Sequence, residues 1–330
     1  MGTGEDGLKH SFKPRLLDAR YQFLGSSRLS VEDLVAIRDY YVRWRDFNEY
    51  LVLQRQEIKP DYSIERQTIA VKCSKRGNDV YRWRVRKRFH PLLDARNEKV
   101  FFKERGKVKR TQCLFITLTW DTSRCGIQEA WENVGKDFNR YISGLRRKFG
   151  KISHLRVFQT FKNGYPHIHA ILLFKEFEFV VFNDRKGKYR VHRKKELKGS
   201  WHSFVDIQAV KSFNAVSGYM SRYLSRGFGD PRGGDPSKTF IKDLLYAMVW
   251  IFRKRTYSIS RGFFDDLMTF CVIQTKKAEV QMSLEGEPVS NVVWVCLGVF
   301  SAFELCIEGS DRWSCELDPV CVPTPNILIS

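Results

Sequence analysis

The chain has 330 residues, with 57 lysines and arginines against 37 aspartates and glutamates, a formal charge of +20 and a pI of about 9.7. This excess points to a polyanionic partner, nucleic acid or an acidic membrane surface, and the length suits one large domain or two ordinary ones. A zinc ribbon and a membrane-spanning protein are argued against: no Cys-x-x-Cys pair occurs among eight cysteines, and the longest apolar run, near Val292 to Phe303, is too short to span a bilayer.

That apolar run is expected to form buried strands. The scattered cysteines fit reduced, mostly buried thiols in a cytoplasm, with a disulfide in the tail left open. The polar start Met1-Gly2-Thr3-Gly4-Glu5-Asp6 shows no secretory signal. Charge is unevenly spread. Gly262 to Ser330 carries three basic and ten acidic residues, a net of −7, and five of the eight cysteines; residues 1–261 therefore carry +27. The basic part is expected to touch the polyanion, and the acidic tail to pack, dimerise or bind a protein. Three regions follow: a helical and basic region over 1–110, a core over 111–261, and an acidic region over 262–330.

In chain order, the first sixty residues read as helical. Ser30-Val31-Glu32-Asp33 resembles a capping signal ahead of Leu34, Val35, Ile37, Tyr41 and Trp44. Tyr81-Arg82-Trp83-Arg84-Val85-Arg86-Lys87-Arg88-Phe89 alternates basic and apolar residues. As a strand it sets Arg82, Arg84, Arg86 and Arg88 on one face, either a charged edge that keeps the sheet soluble or a phosphate-backbone contact. With the net charge, DNA contact is the favoured reading. His90 precedes a proline and reads as a turn residue.

Phe115-Ile116-Thr117-Leu118-Thr119-Trp120 is β-branched and aromatic, hence a strand, with Thr117 and Thr119 on one face. Apolar residues then recur at Ile127, Trp131, Val134, Phe138, Tyr141, Leu145 and Phe149, the period of an amphipathic helix closed by Gly150. A hairpin follows: Leu155 to Phe161, a turn at Lys162-Asn163-Gly164, and a strand to Phe174. A basic insertion, roughly Arg185 to Lys198, interrupts the pattern. Phe204 to Val210 is another strand, and a helix runs from about Ser212 to Ser225. This order predicts an α+β fold, an antiparallel sheet with helices on one face and an open, positive opposite face suited to single-stranded nucleic acid.

Two features carry chemistry. In Gly164-Tyr165-Pro166-His167-Ile168-His169, strand alternation puts His167 and His169 on one face and Ile168 in the core. Two imidazoles so spaced are half of a metal site. Pairing across the hairpin brings Gln159 beside them as a third donor, an amide oxygen. A lone His-x-His is also the pattern of a strand with two surface histidines. In the last helix, Tyr219 and Tyr223 lie one turn apart, each followed three residues later by an arginine, Arg222 and Arg226. Phe213, Val216, Met220 and Leu224 form its core stripe, with Tyr223 nearer to it and Tyr219 beside the arginines. Two tyrosines on a helix also fit ordinary amphipathic packing. His154 and His202 read as structural or surface residues, His192 as solvated, and Asp206 as a minor site candidate.

Three blocks in order, Phe115-Ile-Thr-Leu-Thr119, Gly164-Tyr-Pro-His-Ile-His169 and Tyr219-Met-Ser-Arg-Tyr223, resemble the three motifs of the HUH endonuclease superfamily. They are most similar to those of the rolling-circle replication initiators (Rep proteins) of archaeal or bacterial plasmids and viruses. The resemblance covers about a third of the chain, Cys113 to Arg226. It implies an HUH or RRM-like nuclease domain and Mg²⁺ or Mn²⁺ held by His167, His169 and Gln159. It also implies a tyrosine nucleophile, Tyr219 or Tyr223, that nicks origin DNA and stays linked to the 5′ phosphate. The family usually has lysine three residues after its tyrosine; here Arg222 and Arg226 take that place, and arginine binds phosphate as a planar fork. Neither tyrosine is preferred by that difference. An HUH transposase and a catalytically silent nucleic-acid-binding module remain as alternatives; a relaxase is disfavoured because its tyrosine usually precedes the histidines. No Gly-x-x-x-x-Gly-Lys-Ser/Thr loop occurs, so unwinding is expected from a separate helicase, with no membrane partner.

Overall fold

Ser30 starts the first long helix as its sequence leads one to expect. Its hydroxyl accepts from the Asp33 backbone N–H, and the Asp33 carboxylate accepts from the Ser30 N–H, a complete capping box. The computed structural model describes residues 15–24, 29–59, 62–93, 100–212, 215–216, 236–269, 292–301 and 320–321. In chain order, the N-terminal part holds helices α1 (Leu16–Leu24) and α2 (Val31–Asp46), strands β1 (Glu49–Ile58) and β2 (Ile64–Lys72), and helix α3 (Asp79–Leu93). Next come β3 (Lys103–Arg105), β4 (Val108–Thr111), β5 (Cys113–Thr119), α4 (Ile127–Phe149), β6 (Ile152–Thr160) and β7 (Pro166–Phe174). Then follow β8 (Phe179–Asn183), β9 (Tyr189–Val191), α5 (Lys194–Lys198), β10 (Val205–Ala209), α6 (Pro236–Ile251), β11 (Tyr257–Ile259), α7 (Phe263–Thr269), β12 (Val292–Ser301) and β13 (Val320–Cys321).

The molecule is α+β. Its central sheet has the order β10-β5-β7-β6-β11, antiparallel throughout. β5 and β6 flank β7 and run parallel to each other, so β5-α4-β6 is a split β-α-β unit with β7 filling the gap. β7 is therefore the middle strand, and all but one of its residues are buried. The apolar stripe of α4, Trp131, Val134, Phe138, Tyr141, Leu145 and Phe149, packs on one sheet face with Leu114, Ile116, Leu118, Ile168 and Leu172. Gly150 closes α4 with φ +80°, a conformation that suits glycine; a Cβ there would also strike the Glu176 carboxylate. Helices α2 and α6 join this same core. There Tyr41, Trp44, Tyr246 and Trp250 cluster, and Arg45 pairs with Asp243 at 2.7 Å.

The opposite face carries the histidines and is open only in part. Phe115, Leu155, Val157, Ile171 and Leu173 are covered by Val85 and Phe89 of α3, by Phe101, by Val216, and by Phe263 and Leu267 of α7. The polar end of the face, Thr117, Thr119, His167 and Gln159, lies beyond that cluster.

The segment from Tyr81 to Phe89 is helical, not a strand. Asn78 caps α3 by accepting from the Tyr81 N–H, and Tyr81, Val85 and Phe89 follow one another at four-residue spacing toward the core. Alternation and helical spacing share these three positions, so the local pattern does not separate a strand from a helix there. On a helix, Arg82 and Arg86 share one side and Arg84 and Arg88 another, so no single arginine face forms. His90 lies within the helix rather than in a turn. Among the described residues of the first sixty, helix ends at Asp46 and β1 follows.

The basic insertion is the second strand of a hairpin, β8–β9, followed by α5, in a separate sheet of order β3-β4-β8-β9. A third sheet, β12-β1-β2-β13, pairs strands from near both chain ends. The apolar run from Val292 is a strand as expected, but Leu297 and Val299 are exposed rather than buried. Of Cys73, Cys113, Cys125 and Cys296, only Cys113 is buried; Cys73 and Cys125 are half-buried and Cys296 is exposed. No helix among the described residues is long and apolar enough to cross a membrane.

Candidate metal and nucleic-acid site

The β6–β7 hairpin holds the histidines, and its turn is fixed from three sides. Gly164 adopts φ +81°; a Cβ there would come within 2.8 Å of Leu34 Cδ1 on α2. Its carbonyl accepts from Trp131 Nε1 of α4 at 2.8 Å. Tyr165 donates its hydroxyl to the Cys125 carbonyl at 2.9 Å. The glycine is thus demanded twice, by backbone conformation and by the close approach of α2.

Register then places the donors. Gln159 stands directly opposite His167, and Thr119 stands opposite His167 on the other side. One step along, Thr117 stands opposite His169 and Asp206 opposite Thr117. All these positions share a face. The two imidazoles meet edge to face at 4.9 Å between centroids. His169 is 8% exposed, and its Nδ1 lies 3.0 Å from the Thr117 hydroxyl. Phe161 stacks on the His167 ring at 4.3 Å, and Phe115 stacks near His169 at 5.6 Å. The Phe161 contact was not read from the sequence, since the residue lies just past the end of β6 and only the turn brings its ring back.

Burial holds the His167 imidazole down to about 4 and that of His169 to about 3, the latter helped by His167. Both rings are neutral at pH 7, with a lone pair to give. His167 Nδ1 is buried without a hydrogen-bond partner. If the Thr117 hydroxyl accepts from Nδ1–H, His169 keeps its lone pair on Nε2. Two neutral imidazoles, one of them with an orphaned buried nitrogen, and an amide in register make a donor set whose chemistry suits a divalent ion. No group of three or more His, Cys, Asp or Glu side chains suited to a metal occurs among the described residues.

The other candidates separate cleanly. Asp206 is taken by Arg190, 2.6 Å away, and by Gln208 Nε2 at 2.7 Å, so its carboxylate is committed away from the histidines. His154 lies on the α4 side of β6 against Phe138 and is structural, as expected. His202 packs between Trp120 and Trp201. His192 is exposed beside Phe182. Ser212 accepts from the Ala215 N–H, residues 215–216 are helical and Val216 is fully buried; the rest of the helix expected from Ser212 to Ser225 lies outside the described residues. Tyr219, Arg222, Tyr223 and Arg226 lie outside the described residues.

Residues 113–228 match the family model for replication-associated protein ORF2/G2P. The matched segment begins at β5, contains the whole hairpin with His167 and His169, and runs through Tyr219 and Tyr223. It supports a replication initiator. No curated protein and no solved structure matches the chain.

Proposed function

We propose that the protein nicks single-stranded DNA at a replication origin and starts rolling-circle replication from the free 3′ end. The observation that carries this reading is the row Thr119, His167 and Gln159, with His169 one step along the same face, inside the segment that matches a replication-associated family.

His167, His169 and Gln159 would hold Mg²⁺ or Mn²⁺. Such an ion, when bound, makes the scissile phosphorus more electrophilic and neutralises its developing charge. Thr117 orients His169. Phe161, stacked on His167, fixes that ring and keeps water from one of its faces. Tyr219 is the nucleophile: its phenolic oxygen loses its proton and bonds to phosphorus, the bond from phosphorus to the 3′ oxygen breaks, and that oxygen leaves as a 3′ hydroxyl after taking up a proton. Arg222 holds a phosphate oxygen of the same group. The product is a 5′-phosphotyrosine that keeps the phosphodiester energy, and Tyr223 serves a second transfer that closes the released strand. A separate helicase unwinds the duplex.

The reading is tested on labelled single-stranded DNA carrying candidate origin sequences, with Mn²⁺ and with EDTA, on denaturing gels. The expected result is a metal-dependent protein–DNA adduct, absent from Tyr219→Phe and His169→Ala. An adduct lost only in Tyr223→Phe moves the nucleophile by one turn. Absence of any adduct, with DNA binding intact, makes the protein a binding module.

A further inference from the structure

The register that aligns Gln159, His167 and Thr119 continues to a residue no motif contains. The Thr119 N–H donates to the Phe204 carbonyl at 3.1 Å, which puts Phe204 opposite Thr119 at the start of β10, two strands from His167. The alternation that turns Asp206 to the histidine face also gives Phe204 that face. Its ring is 60% exposed, and Lys194 Nζ lies 5.7 Å from the ring centroid. A large apolar ring left open to water beside a lysine and in line with the histidines has no packing role to explain it.

The β8–β9 hairpin extends the same surface sideways. Arg190 fastens it to β10, donating to the Asp206 carboxylate and, at 2.8 Å, to the Ile207 carbonyl. Along β9, Tyr189 packs against Phe102 and Val191 is buried, while Lys188 and His192 are exposed and the Phe182 ring lies 4.8 Å from His192. Neither Lys188 nor Lys194 has an ion-pair partner among the described residues. Exposed rings interleaved with unpaired cations suit one ligand class: single-stranded nucleic acid, whose bases stack on rings and whose phosphates meet ammonium groups.

We infer that Phe204 with Lys194, continued by the outer face of the β8–β9 hairpin, is the track that seats the DNA strand flanking the scissile phosphate, with an unpaired base stacked on Phe204. This rests on the proposed action at DNA, and it adds the residues that position the strand.

The experiment reads binding apart from chemistry. Anisotropy of a labelled oligodeoxythymidine is measured in EDTA over a salt series, for the full chain and for Phe204→Ala, Phe204→Trp and Lys188→Ala/Lys194→Ala. Phe204→Ala is expected to weaken single-strand binding roughly tenfold, consistent with loss of one stacked base, and Phe204→Trp to restore it. Duplex binding should hold within about twofold, since paired bases offer no open ring face. The double lysine variant should lower the salt slope by roughly 1.4, about 0.7 for each phosphate contact on a single strand. Unchanged single-strand affinity in Phe204→Ala, or an equal loss on duplex, overturns the inference while leaving the nicking reading intact. Wild type that neither binds single strands nor forms an adduct overturns both.

Discussion

The Thr117 hydroxyl and His169 Nδ1 lie 3.0 Å apart, on neighbouring strands at directly paired positions. A single sheet register therefore sets the hydrogen-bond partner of one imidazole and the spacing of both. Removing the hydroxyl with little change of shape tests that link. Thr117→Val is expected to weaken Mn²⁺ binding by about ten- to a hundredfold, as is usual when a ligand loses its orienting partner. Thr117→Ser should retain it. Isothermal titration with Mn²⁺, beside a thermal melt showing both variants folded, measures this; equal affinities in all three proteins would dismiss the orienting role.

Gln159 provides a second check of the donor set. Gln159→Ala is expected to reduce Mn²⁺ affinity less than His167→Ala, because an amide oxygen is the weaker donor. Gln159→Glu should raise affinity by adding a negative charge in place of a neutral oxygen. The same titrations decide it; a Gln159→Glu protein that binds more weakly than wild type would place the amide outside the ligand set.

The turn that presents the histidines depends on Gly164. Gly164→Ala puts an alanine at φ +81° and drives its Cβ into Leu34. The left-handed conformation alone costs about 1–2 kcal/mol, and displacement of Leu34 adds to it, so urea unfolding should show a loss of about 2 kcal/mol or more. Leu34→Ala in the same chain should relieve the steric share and make the double variant less unstable than the sum. Strict additivity would mean that α2 does not press on the turn.

Stability should fall on mild acidification. His154 is buried against Phe138 beside Arg146 and Arg156, and burial first, then those two cations, hold it down to about 4. Unfolded, it takes a proton near pH 6.5. The stability that depends on its neutral form is whole above pH 6.5 and is lost as pH falls toward 4. His167 and His169 act in the same direction. His154→Gln is expected to flatten the pH dependence of the urea midpoint by on the order of 2 kcal/mol between these limits. An unchanged slope would show that His154 is already charged in the folded protein.

The sequence by itself determined the parts whose signal is local. The period of α4, the capping box at Ser30, the hairpin at Gly164 and the shared face of His167 and His169 all rest on spacing within one element, and each stands in the structure. Gln159 could be paired with the histidines in advance because a short turn leaves little freedom of register. The α3 segment failed the same treatment: Tyr81, Val85 and Phe89 satisfy both periods, and only their burial beneath the central sheet chose the helix. Tertiary structure alone decided what lies across strands far apart in the chain. Thr117 reaches His169 across 52 residues, and Phe204 lines up with His167 only because β10 pairs with β5 and β5 with β7. Such long-range pairings are fixed by which apolar faces find each other in the core, a property of the whole fold that no stretch of sequence contains.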